Sequence, residues 1–371
     1  MARPQIGPRQ LRPRHERSMN FHALGAAPLL LLLFVGCSSS KNSTVQESGT
    51  PRDSGVLGDA AVSSQSLSLS IGPIPLSAGE ERTVCKRFRL PTTTAIQVTQ
   101  LDAILAPGSH HLVFYRSVAT DEHTDLYDCP ALDPSDGRAA PPSGGFPDQD
   151  VPIYIAETTT HNALTLPDGV AYKFESGQMV RLEAHYLNAS ASSIEGQGAV
   201  TLTLGNGTDY VPADIMFCGS VQPLLPAGYT NARLPGLTGA PPYGIAPGQE
   251  TTLPWQFMSP PSGVHIFGLT SHQHKQGVGM RIEKATDAAT AGTQLVDSPN
   301  WDDPEFAKFE SEPLTFSGNE GLRWQCKYNN MGSDPIYFGQ SAQTNEMCFF
   351  WAYYYPSVGS FISLGFPQCW Q

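Results

Sequence analysis

Short runs of alternating apolar and polar residues recur along the chain from about residue 67. The clearest runs span residues 95–101, 179–186 and 199–204, and β-branched side chains are frequent in them. Because successive side chains of a strand point to opposite faces, this period of two predicts half-buried β-strands. Turn-forming segments such as residues 167–169 separate the runs. No segment of the sequence has the repeat of an amphipathic helix, so an all-β protein is predicted.

The composition agrees with many short strands joined by turns. The chain of 371 residues contains 35 glycines and 32 prolines, which argues against a helical bundle or a coiled coil. A boundary near residue 208 divides it into two parts that each have the size of one β-sandwich. We therefore predict two tandem antiparallel sandwich domains, over residues 66–208 and 209–371.

The first 36 residues have the pattern of an export signal. Five arginines precede an apolar run over residues 24–35, which is too short to span a membrane. The run ends at Gly36-Cys37, a junction that resembles a bacterial lipobox, in which the cysteine is acylated. We predict a signal peptide over residues 1–36, lipidation of Cys37 and a Ser-rich tether over residues 37–65. The alternative is an ordinary signal peptide followed by a chance cysteine.

Charge and the leader limit the expected partners and the location. The formal net charge is −12, and without residues 1–36 it becomes −16, from 17 basic and 33 acidic residues. A nucleic-acid partner is not expected, because phosphates require a basic face. The leader predicts an exported protein that is anchored to the outer membrane or the cell surface through its N-terminal lipid only.

The cysteine count is typical of an oxidising compartment. Once Cys37 is set aside for lipid, six of the seven cysteines remain. An even number in an exported protein predicts up to three disulfides, and six cysteines allow 15 pairings. The six are Cys85, Cys129, Cys218, Cys326, Cys348 and Cys369.

The histidines carry the candidate chemistry. His272 and His274 are two residues apart, so on one strand they point the same way and can bind one metal ion. The neighbours His110 and His111 would point to opposite faces, unless the strand starts or twists at this point. His185 lies on the polar face of its predicted strand.

Each of these features alone also has a structural explanation. An adjacent histidine pair is commonly on the surface, and His185 on a polar face could simply be solvated. His265 is an odd number of residues from His272 and His274, so it should face away from them, and we exclude it as a ligand.

The order of these motifs resembles one known family. The landmarks are Ser109-His110-His111-Leu112, Ala184-His185-Tyr186, Ser271-His272-Gln273-His274 and Asn345-Glu346-Met347-Cys348. Together they resemble the copper type II, ascorbate-dependent monooxygenases, which include the peptidylglycine α-hydroxylating and dopamine β-hydroxylating enzymes. The resemblance covers about residues 65–371.

The resemblance implies a fold, a cofactor and a reaction. It implies two jelly-roll sandwiches with one copper ion on each, facing a solvent-filled cleft. An electron-transfer copper and an oxygen-binding copper would together hydroxylate a substrate C–H bond with O2, and ascorbate or another one-electron donor would reduce them. The implied ligands are His110, His111 and His185 for the first ion, and His272, His274 and Met347 for the second, catalytic ion.

The chemistry of these residue types agrees with copper. Imidazole suits copper in both oxidation states, and a thioether favours Cu(I) over hard ions. The alternative for Met347 is packing in the core, which is the commonest role of methionine.

The family also implies disulfide pairs and a change of substrate. The implied pairs are Cys326–Cys348 and Cys218–Cys369, leaving Cys85–Cys129 in the first domain.

Peptide-amidating members have an arginine where this chain has Thr270, and an asparagine and a tyrosine where it has Phe349 and Trp351. These three residues are predicted to line a pocket for an apolar or aromatic small substrate.

Three functions remain open from the sequence. The favoured one is a two-copper, O2-dependent hydroxylase. The second is a non-catalytic copper-binding lipoprotein on the same fold. The third is a structural or adhesive β-sandwich that binds no metal, which would leave the ordered ligand set unexplained.

Overall fold

The fold is described from a computed structural model, which covers residues 60–62, 65–129, 150–157, 161–207, 209–230, 237–359 and 361–363. The predicted signal peptide, the lipidated Cys37, most of the tether and Cys369 lie outside these residues. The described residues form one compact unit.

The first half of this unit contains two sheets. The larger has the strand order β1-β2-β11-β4-β9-β12, with β8 paired to β4, and the smaller has the order β6-β3-β10-β5-β7. The strands are β1 Ala60–Val62, β2 Ser66–Leu76, β3 Glu81–Arg89, β4 Ile96–Leu105, β5 Ser109–Arg116, β6 His123–Asp128, β7 Val151–Glu157, β8 His161–Thr165, β9 Val170–Phe174, β10 Met179–Leu187, β11 Ile194–Leu204 and β12 Val211–Pro212.

The second half contains two further sheets. One has the order β19-β16-β21-β13-β22, and the other has the order β14-β20-β17-β18, with β15 paired to β20. The strands are β13 Asp214–Gly219, β14 Gln249–Thr252, β15 Gln256–Met258, β16 His265–His272, β17 Gly277–Ala285, β18 Thr293–Ser298, β19 Phe306–Lys308, β20 Gly321–Asn330, β21 Phe349–Tyr355 and β22 Phe361–Ser363.

The prediction of an all-β sandwich fold is confirmed. Within the described ranges the helical content is one 3-10 turn, Gln222–Leu224. The paired strands are antiparallel except for β12 with β9 and β13 with β22. A search of the described residues for a helix that is long and apolar enough to cross a membrane finds none.

Where one face of a strand is solvated, the alternation of apolar and polar residues places the apolar side chains in the core. In β11, Val200 and Leu202 are buried, whereas their neighbours Ala199 and Thr201 are only partly covered. β10 departs from this pattern, because Arg181 and His185 on its polar face are also buried, with 2% and 3% of their surface exposed. Residues of the second half cover that face, as described below.

The predicted tether is shorter than the sequence suggests. It was expected to continue through residue 65, but Ala60–Val62 form β1 and pair with Leu67–Leu69 of β2. A three-residue strand at a sheet edge is too short to show an alternating pattern in the sequence. Its partner strand, rather than local preference, determines its conformation.

Each half contains a disulfide between segments that are distant in sequence. Cys85 is bonded to Cys129 and Cys326 to Cys348, the pairs that the resemblance implies. Cys218 is also disulfide-bonded, and its expected partner, Cys369, lies outside the described residues.

The two halves contact each other through buried polar groups. The Tyr353 hydroxyl lies 3.1 Å from the backbone nitrogen of Ile155, which donates to it, and 3.4 Å from the carbonyl oxygen of the same residue. Burial raises the pKa of Tyr353 far above its usual value, so the hydroxyl keeps its proton. The contact joins β21 of the second half to β7 of the first.

We predict that Gly219→Ala destabilises the second half. A Cβ at this position would lie 1.8 Å from Phe349 Cδ1 and 2.5 Å from the Cys348 carbonyl oxygen. Overpacking of this kind costs about 1–3 kcal/mol or more in the free energy of unfolding, measured by denaturant titration. The control is Gly279→Ala, whose Cβ would meet only the Ser298 carbonyl oxygen at 3.9 Å. An equal effect of the two substitutions would contradict the packing described for β13 and β21.

Candidate metal centre

A β-bulge places His110 and His111 on the same side of the smaller sheet of the first half. His185 of β10 pairs with His111, but the next residue, Tyr186, pairs with Ser109. His110 is therefore an extra residue in β5 and does not alternate regularly with His111. Gly108, with a φ of +86°, starts this irregular segment. The two imidazole centroids are 4.9 Å apart. Adjacent residues of a regular strand would point to opposite faces, so the bulge allows His110 and His111 to share one site.

His185 completes a group of three rings in the first half. Its ring centroid lies 5.0 Å from that of His111 and 5.1 Å from that of His110. The register of β10 against β5 produces this arrangement, because His185 lies directly opposite His111.

His272 and His274 approach the same point from the second half. β16 ends at His272, and His274 follows within a tight turn closed by the Gly277 N–H, which donates to the His274 carbonyl. The two rings are 5.2 Å apart, as expected for residues two positions apart on one face. Both rings also lie close to His110, at 5.1 Å for His272 and 5.3 Å for His274.

The five histidines thus form one cluster, which we call the histidine cluster: His110, His111, His185, His272 and His274. The resemblance implies two sites that face a solvent-filled cleft, but here rings from both halves are in contact. Four of the five residues are buried and His111 is nearly so. Among the described residues, contacts between the halves such as that of Tyr353 with Ile155 hold the two groups of rings together.

The cluster is a concentration of neutral, unpaired ligand atoms. Burial, reinforced by the neighbouring histidines, holds the pKa of His110, His111 and His274 well below the usual value. Both ring nitrogens of His110, Nδ1 of His111 and Nε2 of His274 are buried and have no hydrogen-bond partner among the described residues. Each such atom costs roughly 1–3 kcal/mol if it stays unpaired. Neutral imidazoles with free nitrogens fit copper, which would supply the missing partner.

Outer hydrogen bonds orient three of the rings. His272 Nδ1 is hydrogen-bonded to Glu157 Oε2 at 3.4 Å, and His185 Nε2 lies 2.8 Å from Glu81 Oε1. His274 Nδ1 lies 3.2 Å from the Asn345 carbonyl oxygen, to which it donates. A metal-binding histidine commonly uses its second nitrogen in this way, which fixes the tautomer and the direction of the ring.

Glu81 and Glu157 each connect the two halves. Glu81 Oε2 accepts a hydrogen bond from the Ser341 hydroxyl at 2.7 Å, and its other oxygen accepts from the Ala342 N–H at 2.5 Å. Although burial alone would raise the pKa of Glu81, hydrogen bonds from His185 and Ser341 lower it below the usual value. Glu157 belongs to the first half and contacts His272 of the second. The carboxylates therefore position the rings and hold the halves together.

Glu346 supports the other side of the cluster. Its carboxyl oxygens accept backbone N–H bonds from His274 at 3.0 Å, Gln276 at 2.6 Å and Met347 at 3.2 Å. Burial raises the pKa of Glu346 to about 8, although these N–H groups act to lower it. One side chain thus connects the turn that carries His274 to the segment that carries Met347.

Met347 lies beside the cluster, in a cavity of about 50 Å³ between the two halves. His272 and His274 line this cavity with it, as do His111 and His185. The methionine is 7% exposed, and the adjacent Cys348 forms the disulfide with Cys326. The structure thus brings the six predicted ligands to one region.

The three residues predicted to line a substrate pocket are not together. Trp351 lines the cavity beside Met347. Phe349 is fully buried against Phe217, with ring centroids 4.3 Å apart, and is not among the residues that line the cavity. The Thr270 hydroxyl donates to the Glu305 carbonyl at 3.0 Å, and this residue lines a separate pocket beyond Glu157. Alternation along a strand predicts a shared face, but it does not show which neighbours cover that face.

Other histidines have partners away from the cluster. His265 stacks on Tyr355, with centroids 5.1 Å apart, and it lies at the opposite end of β16 from His272. His161 is exposed and pairs with Asp102 at 2.8 Å. His123 stacks on Tyr127 at 4.5 Å.

Sequence reasoning missed the carboxylates. Glu81 and Glu157 are 104 and 115 residues from the histidines they contact, so no local pattern connects them. Glu346 stands next to Met347, and this adjacency was the one available signal. Trp301, whose ring lies 5.4 Å from that of His110, was also missed.

Comparison with known proteins finds a family match within the second half. The sequence profile described as "Copper type II ascorbate-dependent monooxygenase, C-terminal domain" matches residues 251–363. This segment contains His272, His274 and Met347.

Two curated relatives and several solved structures are similar to parts of the chain. DBH-like monooxygenase protein 1 of Mus musculus is 29% identical over 100 residues, and that of Homo sapiens is 26% identical over 99 residues. Each match spans 26% of this chain and 16% of the relative. The major capsid protein P2 of bacteriophage PM2 aligns with 78% of this chain over 97% of its own length. The identity is 9% and the TM-score is 0.31, so this alignment supports no conclusion about the chain. Residues 251–363 are thus similar to the C-terminal domain of the copper type II ascorbate-dependent monooxygenases.

Proposed function

We propose that the chain is a copper-dependent monooxygenase. It hydroxylates a C–H bond of a small apolar or aromatic substrate, with O2 and a one-electron donor such as ascorbate. The observation that supports this most directly is the histidine cluster beside Met347. The family match over the segment that carries His272, His274 and Met347 agrees with it.

The ligand assignment is the one that the family resemblance implies. His110, His111 and His185 would hold one copper ion, and His272, His274 and Met347 the second. Copper supplies one-electron chemistry and O2 activation when it is bound. The protein contributes orientation, because Glu81, Glu157 and the Asn345 carbonyl each engage one ring nitrogen and leave the other for the metal.

Burial of the cluster serves the same reaction. The side chains around the cavity exclude water from the rings, which protects reactive species from side reactions. The soft thioether of Met347 favours the reduced metal. A hydrolytic zinc site would have no need of this ligand.

The lining of the cavity supports an apolar or aromatic substrate. Val113, Ile155, Phe217 and Trp351 contribute apolar or aromatic surface. Arg181 also lines the cavity, but its Nε lies 3.0 Å from Asp150 and its Nη2 lies 3.8 Å from Glu183. Its charge is therefore already matched, and it is not available for a substrate carboxylate.

The central prediction concerns the thioether. The unmodified chain should bind two copper ions and form a hydroxylated product from an apolar or aromatic compound with ascorbate and O2. Met347→Leu conserves volume and removes only the sulfur, so we expect copper affinity at one site and product formation to fall at least about tenfold. Competition with a copper chelator and product analysis by mass spectrometry measure these effects.

The matched control for this test is Met280→Leu, which changes a buried methionine of β17 that is not among the residues lining the cavity. This variant should keep both copper ions and activity. A folded chain that binds no copper would refute the proposal. Copper binding without any O2-dependent product would favour the non-catalytic copper-binding alternative.

We further propose that the protein is exported and anchored to the outer membrane or the cell surface through lipidated Cys37. Disulfides in both halves support an oxidising compartment.

The anchor predicts a labelling result. Cells that express the full chain should incorporate radioactive palmitate into it, and Cys37→Ser should abolish the label. The control variant is Ser38→Ala, which should retain it. Equal labelling of the Cys37→Ser and unmodified chains would exclude lipidation at this residue.

A further inference from the structure

A second cavity, of about 510 Å³, lies against His110. Its lining includes His110, Lys275, Trp301 and Asp302, and we call it the outer cavity. Sites for small molecules usually measure roughly 300–1,000 Å³. The outer cavity lies in this range, whereas the cavity beside Met347 measures about 50 Å³. The outer cavity can therefore hold a small molecule without rearrangement of the protein.

His110 connects the outer cavity to the histidine cluster. It is the one member of the cluster that lines the outer cavity. Its ring centroid lies 5.1 Å from those of His185 and His272. The indole of Trp301 also lies against this imidazole, with centroids 5.4 Å apart and an angle of 60° between the rings. A molecule in the outer cavity is thus next to a ring of the ligand set assigned to the electron-transfer copper.

The charged and aromatic groups of the outer cavity favour one class of ligand. Lys275 is exposed, and its ammonium group forms no ion pair with any described residue. It offers a positive charge in a chain whose formal net charge is −12. The half-buried indole of Trp301 offers a surface on which a flat ring can stack. The Asp302 carboxylate can accept hydrogen bonds from hydroxyl groups. Together these groups fit a small, planar, hydroxylated monoanion.

We propose that the outer cavity binds the one-electron donor of the reaction, as a planar enediol monoanion of the ascorbate type. This inference rests on the proposed function and supplies the place at which its reductant binds. The monoanion pairs with Lys275, stacks on Trp301 and directs hydroxyl groups towards Asp302. A ligand of higher negative charge is disfavoured, because the Asp302 carboxylate repels it.

Electrons and protons balance for such a donor. An ascorbate monoanion that gives up one electron and one proton becomes the monodehydroascorbate radical. Two donors in succession supply two electrons and two protons, which together with O2 convert a C–H bond to C–OH and form one water molecule. The electrons enter beside His110, and each radical leaves the outer cavity before the next donor binds.

The first test is binding of ascorbate to the metal-free full chain, measured by isothermal titration calorimetry without O2. We expect saturable binding of one ascorbate per chain. Lys275→Gln should weaken it at least about fivefold, because the substitution removes a charge-assisted contact. Trp301→Leu should have a similar effect, whereas Trp301→Phe keeps an aromatic face and should retain most of the affinity.

The control for charge is Lys327→Gln, which changes another exposed lysine that is not among the residues lining the outer cavity. It should alter the affinity for ascorbate less than about twofold. Equal losses in Lys275→Gln and Lys327→Gln, or no saturable binding to the unmodified chain, would overturn the inference.

Reduction of the Cu(II)-loaded chain gives a second readout. Loss of the Cu(II) electron paramagnetic resonance signal is followed after rapid anaerobic mixing with ascorbate or with hexaammineruthenium(II), a cationic one-electron donor. Lys275→Gln should raise the half-saturating concentration of ascorbate at least about fivefold and should not slow reduction by the cation. Equal slowing with both donors would mean that Lys275 acts on the metal site, and would refute the outer cavity as the donor site.

The two proposals can fail separately. Ascorbate binding that depends on Lys275 and Trp301, without any O2-dependent product, supports the outer cavity as a binding site and refutes the proposed function. Hydroxylation with an ascorbate KM that is unchanged in both Lys275→Gln and Trp301→Leu supports the proposed function and refutes the outer cavity as the donor site.

Discussion

Burial of five imidazole rings where the two halves meet is the constraint on which the rest of the structure depends. An imidazole that is removed from water resists protonation and retains a nitrogen lone pair that needs a partner. At His110 neither ring nitrogen has such a partner among the protein groups. Burial of these unpaired ring nitrogens disfavours folding of the metal-free chain and favours binding of a metal ion. The same burial explains why His185 and Arg181 lie on a face of β10 that looks solvated in the sequence.

The surrounding carboxylates give the cluster its geometry. Glu81 and Glu157 belong to the first half, but each also fixes a group in the second. Glu346 holds the His274 turn and the Met347 segment through backbone N–H groups. The ring directions and the contact between the halves therefore have a common cause. A site built on one half alone would lack this mutual support.

Local patterns in the sequence were enough to predict the strands and the candidate ligands. Alternation in residues 199–204 predicted β11 and its buried positions, and the spacing of His272 and His274 predicted rings on one side. What depends on distant partners was not predictable. Pairing of β13 with β21 decides that Phe349 is covered by Phe217. Packing between the halves decides that Thr270 lies beyond Glu157 and that the two histidine groups meet. No pattern within a strand carries that information.

The central claim is that the histidine cluster is a copper centre. Anomalous diffraction at the copper absorption edge, from crystals of the copper-loaded chain, tests it most directly. The account predicts anomalous density among the rings of His110, His111 and His185, with a second peak close to His272, His274 and Met347. Anomalous density confined to surface histidines such as His161, or no ordered copper in a folded chain, would contradict it.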